Sequence, residues 1–86
     1  MDFKKKEKIR RLLGYYLKKR REDFLKIDSV RQLSFSSNLD SSKLSKIEKG
    51  LIDLRFDTLI EVAITYKLTP KQLFDFPIEF WKDEDE

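Results

Sequence analysis

The chain has no cysteine and no histidine. Without cysteine there is no disulfide framework, no thiolate nucleophile and no cysteine-held metal. Without histidine the commonest metal ligand and general base is missing as well. Only two glycines and two prolines occur in 86 residues, and no glycine-rich loop is present to cradle a phosphate. No apolar run approaches the roughly 18 residues of a membrane-crossing helix, and no signal-peptide core follows the N-terminal lysines. An enzyme would have only Asp, Glu, Ser and Lys to work with. Those residues fall where helix caps and solvated faces would place them. The expectation is therefore no catalytic residue, no metal, no cofactor and no membrane, with a cytoplasmic location by default.

What is present suits one soluble all-α domain. Hydrophobic residues make up 40% and charged residues 41% of the chain, a balance that can bury a modest core without staples. The net charge of +3 hides an asymmetry. Residues 1–21 hold ten Lys and Arg against Asp2 and Glu7, a balance of +8. Residues 75–86 hold six acids against Lys82, a balance of −5. A basic head suggests a polyanionic partner.

Five helices are predicted, at 3–22, 30–37, 41–49, 56–67 and 70–75, with no sheet. In the first, Ile9, Leu12, Leu13, Tyr16 and Leu17 repeat at helical spacing and mark one buried stripe. Gly14 within it points to a close helix crossing, since glycine otherwise costs a helix about 1 kcal/mol relative to alanine. Phe24 and Ile27 are expected to anchor the connection that follows. Leu51, Ile52 and Leu54 are apolar for a loop, so some must cover the core and one is a candidate for contact with a second subunit. Thr69-Pro70-Lys71-Gln72 has the form of a capping box with proline at the first helical position. The expected core is Ile9, Leu13, Leu17, Leu33, Leu44, Ile47, Leu59, Val62, Ala63 and Leu73.

Residues 1–76 form the expected domain, and 77–86 a tail that is first apolar and then acidic. Two readings stand for Phe80 and Trp81. They fold back on Ile60, Ile64 and the start of the first helix, or they bury against a partner. Asp83 to Glu86 is a charge run expected to be disordered.

The stretch 29–50, SVRQLSFSSNLDSSKLSKIEKG, reads as helix, tight turn, helix. Ser29 and Asp40 are suited to cap the two helices. Asn38 in the turn tolerates positive φ, and Gly50 ends the second helix. Leu44 and Ile47 share one face with Leu51. Ser41, Ser42, Lys43 and Lys46 are left on or near the other. A helix with small and basic residues on its outer first turn, held by a short partner helix, is suited to enter a major groove.

These residues carry a resemblance. LSKIEKG at Leu44–Gly50, followed by Asp57-Thr58-Leu59 and Val62-Ala63, resembles the Cro/repressor-type (Xre) helix-turn-helix family. The likeness extends without gaps from Ser29 to Phe74, and through the first helix from Leu13-Gly14 to Arg21. The departures are Ser34 where the family prefers alanine, Asn38 where it prefers glycine, Val30 where glutamine is common, and Leu54-Arg55 in place of a frequent Pro-Ser. The loop between Arg21 and Ser29 is about two residues longer than usual. The resemblance implies a compact five-helix bundle of the phage-repressor DNA-binding-domain type. It also implies a partly buried ion pair between Arg21 and Glu48.

The leading expectation is sequence-specific binding of double-stranded DNA and transcriptional regulation. Ser41, Ser42 and Lys46 are the candidates for base edges. Lys43, Arg31, Lys49 and the backbone N–H groups near Ser29 and Val30 are the candidates for phosphates. One short reading helix gives limited specificity, so a homodimer on DNA is expected. The alternative is a protein-interaction module, antitoxin-like or a docking domain, with a protein partner engaged through the apolar tail and the 51–54 loop.

Overall fold

A computed structural model describes residues 3–77. Among them the chain forms five α-helices and no strand. These are α1 (Phe3–Lys19), α2 (Val30–Ser34), α3 (Ser41–Glu48), α4 (Phe56–Thr65) and α5 (Pro70–Leu73). A π-helical turn, Arg20–Phe24, continues α1. The expectations about Phe80, Trp81 and the acidic run 83–86 lie outside the described residues.

The first helix does not stop at residue 22. Its ladder widens, with Leu25 N–H donating to the Arg20 carbonyl at 3.0 Å and Ile27 N–H to that of Arg21 at 2.9 Å. The wider turn carries the chain to Lys26, which takes φ 58°. Phe24 is not a core anchor. It is 65% exposed, and the Arg20 guanidinium lies 3.7 Å from its ring centroid. Ile27 does pack on the core.

The second helix ends early, at Ser34, and three i→i+3 bonds carry the chain through Phe35, Ser36 and Ser37. The left-handed residue expected at Asn38 is not there. Ser37 closes the turn instead, its Oγ accepting from Leu39 N–H at 2.9 Å and sharing a 2.6 Å bond with Thr65 Oγ1. Asn38 Nδ2 donates to Glu61 at 3.2 Å. Side chains thus supply the closure that a positive φ would otherwise provide.

Left-handed residues close α3 and α4. Gly50, at φ 70°, ends α3, with Leu51 N–H bonded back to Lys46 and Gly50 N–H to Ile47, both at 3.0 Å. Lys67, at φ 56°, ends α4 through the same pair of bonds, Leu68 to Ala63 and Lys67 to Ile64. This is the Schellman arrangement, which ordinarily recruits glycine. Arg20 supports the α4 end from outside, donating to the Tyr66 and Lys67 carbonyls at 3.1 and 2.8 Å. Thr69 and Gln72 form a reciprocal capping box at the start of α5, with Pro70 at its first turn.

The core is Leu13, Leu17, Leu33, Leu39, Leu44, Ile47, Val62, Tyr66, Leu68, Leu73 and Phe76. Ile9, Leu59 and Ala63, expected inside, are only partly buried and pack around its edge. Leu39, Leu68 and Phe76 fill the space. They lie in connections, where helical periodicity carries no signal. Ile52 and Leu54 cover the core while Leu51 stays 62% exposed.

Candidate nucleic-acid interface

The geometry of α3 follows from its two apolar residues and its cap. Leu44 and Ile47 are 0% and 3% exposed. Burying this pair one turn apart fixes the rotation of the helix about its own axis. Ser42, Lys43, Lys46 and Lys49 are thereby turned to solvent, with Ser41 half-buried at the first turn. Asp40 starts the helix, its Oδ1 accepting from Lys43 N–H at 2.7 Å. Ser29 does the same for α2, its Oγ accepting from Gln32 N–H at 3.2 Å.

Two neighbouring recesses gather most of the candidate residues. One is lined by Asp40, Ser42, Lys43, Lys46 and Ile52. The other lies where α1, α2 and α3 meet and is lined by Tyr15, Lys18, Arg21, Val30, Ser45, Glu48 and Lys49. Ser42, Lys43 and Lys46 therefore share one surface, and Lys49 joins Val30 on the adjoining one. Arg31 is exposed on α2 outside both recesses. Val30 is part of the packing, half-buried against the core. Lys18, Tyr15 and Ser45 were not singled out from the sequence. The available signal was Lys18 itself, one helical turn after Gly14 on a basic helix, but it reads equally as a solvated lysine.

Beneath this surface α1 and α3 cross at Gly14. A Cβ at that position would fall on the Glu48 carbonyl oxygen and lie 2.8 Å from that of Ile47. The close approach brings Arg21, from the turn after α1, to the end of α3. Its Nε and Nη2 each donate to one Glu48 carboxylate oxygen at 2.9 Å, and its Nη1 donates to the Ile27 carbonyl at 3.0 Å. Tyr66 from α4 adds a 2.7 Å bond from its hydroxyl to Glu48 Oε2. Both side chains of the ion pair are 6% exposed. The bond to Glu48 raises the Arg21 pKa above its usual range. Burial, reinforced by the Glu48 carboxylate, pushes the Tyr66 hydroxyl far above its usual range, so it remains a neutral donor. The network ties α1, α3 and α4 into one unit behind α3. It is occupied with its own hydrogen bonds and presents no free acid or base.

Among the described residues no group of three potential metal ligands exists, and no helix is long and apolar enough to cross a membrane. Comparisons with protein-family models, with curated proteins and with solved structures returned no significant match.

Proposed function

We propose that this chain is a Cro/repressor-type helix-turn-helix protein that binds double-stranded DNA sequence-specifically and regulates transcription. The observation that carries the reading is the rotation of α3. Its apolar pair is buried, which leaves Ser42, Lys43 and Lys46 together on one solvent-facing surface. In this reading the first turn of α3 enters the major groove. Ser41, Ser42 and Lys46 address base edges, and Lys43 and Lys49 contact the backbone together with Arg31 and the start of α2. The Arg21–Glu48–Tyr66 network holds α3 rigid from behind, so little ordering remains to be done on binding. The protein acts as a homodimer on a two-fold operator, with recognition helices about 34 Å apart, one turn of duplex. It acts in the cytoplasm, as a binding protein and not an enzyme, and uses no cofactor.

Selection of random duplexes by the wild type and by single variants at fixed salt tests this. Ser42→Ala and Lys46→Ala are expected to cost about 1–3 kcal/mol on the preferred site and to relax selection at one base pair each. Lys49→Ala is expected to weaken all sequences equally and to lower the salt slope by about 1. If both reading variants select the wild-type sequence with wild-type stringency, α3 is not the reading head. The second reading, a protein-interaction module, would then lead. The 62% exposure of Leu51, at the end of α3, is the observation in its favour.

A further inference from the structure

The outer edge of α4 is apolar. Phe56, Ile60 and Ile64 are 75%, 46% and 64% exposed. They are spaced four apart, so they line up along one side of the helix. Phe74, just past α5, is 54% exposed and lines the same furrow between α4 and α5, with the buried Leu68 and Leu73. Every side chain lining this furrow is apolar. None of them belongs to α3 or to the two recesses that gather the candidate DNA contacts. A contiguous apolar surface of this kind on a charged protein calls for a partner.

We propose that this furrow is the homodimer interface, with α4 packed antiparallel against α4 of a second copy about a two-fold axis through Ile60. The proposal deepens the homodimer part of the DNA-binding reading and rests on it.

Shape, area and charge all favour a second copy as the occupant. Ile60 lies midway between Phe56 and Ile64, so a two-fold axis there sets each Phe56 against the partner's Ile64. The two Ile60 side chains then face each other, as an isologous contact requires. Ala63, beside Ile64 in the furrow, leaves room for the ring of the partner's Phe56. At roughly 200 Å² per large apolar residue, the four exposures leave about 480 Å² uncovered on each copy. A pair then buries about 960 Å² from these residues alone, close to the ~1,000 Å² that a specific interface must clear before its rim is added. Asp57 lies in the first turn of α4 and Lys67 just past its last, both exposed. Antiparallel packing sets Lys67 beside the partner's Asp57, and the N-terminal end of one helix dipole beside the C-terminal end of the other. Arg55, at the N-cap, does not line the furrow. With no polar side chain on its wall, the furrow has nothing to orient a small-molecule ligand.

Sedimentation equilibrium of the full-length protein without DNA, from sub-micromolar to high-micromolar concentration, tests this. It should show a monomer–dimer equilibrium. Ile64→Glu should leave the far-UV circular dichroism unchanged, because the position is exposed. It should weaken the dimer at least about 100-fold, because it places an unpaired charge in the contact. Ile60→Cys should cross-link readily under mild oxidation. Helices packed about 8–10 Å apart bring facing Cα atoms within disulfide range, and the chain has no other cysteine. Leu51→Cys, exposed but outside the furrow, should link far more slowly. A monomer at every concentration would overturn the proposal, whether its furrow binds an apolar dye and awaits another protein or binds none and is covered within the molecule. A dimer indifferent to Ile64→Glu, in which Ile60→Cys links no faster than Leu51→Cys, would also overturn it and move the homodimer contact to another surface. Because no DNA is present, neither result bears on whether α3 reads DNA, which duplex selection decides separately.

Discussion

Removing Glu48 tests how the α1–α3 crossing is held. The carboxylate takes two charge-assisted bonds from Arg21 at 2.9 Å and one from the Tyr66 hydroxyl at 2.7 Å. Glu48→Ala leaves a guanidinium that is 6% exposed with the Ile27 carbonyl as its remaining partner among the described residues, and strands a buried phenol. Breaking a buried pair on one side costs about 3–5 kcal/mol, because a charge is left uncompensated. Domains of this size lose about 4–8 °C per kcal/mol. The thermal midpoint should therefore fall by about 12 °C or more, read by circular dichroism with urea unfolding as a second measure. Arg21→Met, Glu48→Leu and Tyr66→Phe together remove the charges and the hydroxyl at once. That triple variant should recover much of the loss, since a buried pair replaced by apolar residues is often neutral. If Glu48→Ala costs no more than the ~1 kcal/mol of an exposed pair, the network is not what holds the crossing.

Three further outcomes follow from particular positions. Gly14→Ala should destabilise by about 1–3 kcal/mol in denaturant unfolding despite alanine's better helix propensity, because the new methyl meets the backbone of Glu48 and Ile47. Lys67→Gly should be neutral or should stabilise by up to about 1 kcal/mol, since a left-handed lysine carries a steric cost that glycine lacks; a clear loss of stability would show that the lysine side chain matters at that helix end. The Tyr66 hydroxyl has its pKa raised in the folded state above the ordinary 10.0, so the native state holds this proton more tightly. Its contribution is complete below pH 10 and fades as pH rises above it. Tyr66→Phe should flatten that alkaline fall in stability, and an unchanged slope would refute the assignment.

What could be read from the sequence depended on where the signal was local. Leu13, Leu17, Leu33, Leu44, Ile47 and Val62 lie inside, and each belongs to a helix whose spacing announces a buried side. Ser29, Asp40 and Thr69 cap the helices they precede, because a capping side chain needs only its own next three residues. Leu39, Leu68 and Phe76 were not legible, since burial of a connecting residue depends on how distant helices meet. The turn at Asn38 departs from the expected left-handed closure for a related reason. Its closure depends on Ser37 reaching Thr65, 28 positions away, and a turn rule based on neighbours cannot anticipate it. Lys67 shows the converse. Nothing about a lysine suggests positive φ, yet Arg20 and the buried Leu68 hold the helix end on both sides. The same logic applies to the candidate surface. Ser42, Lys43 and Lys46 could be placed together from one helix alone, whereas Lys18 and Tyr15 join Lys49 only because Gly14 lets α1 and α3 approach so closely. If Lys18 contacts the same DNA backbone as Lys49, Lys18→Ala should lower the salt slope by about 1 and leave the selected sequence unchanged. An unaltered salt slope would confine the interface to α2 and α3.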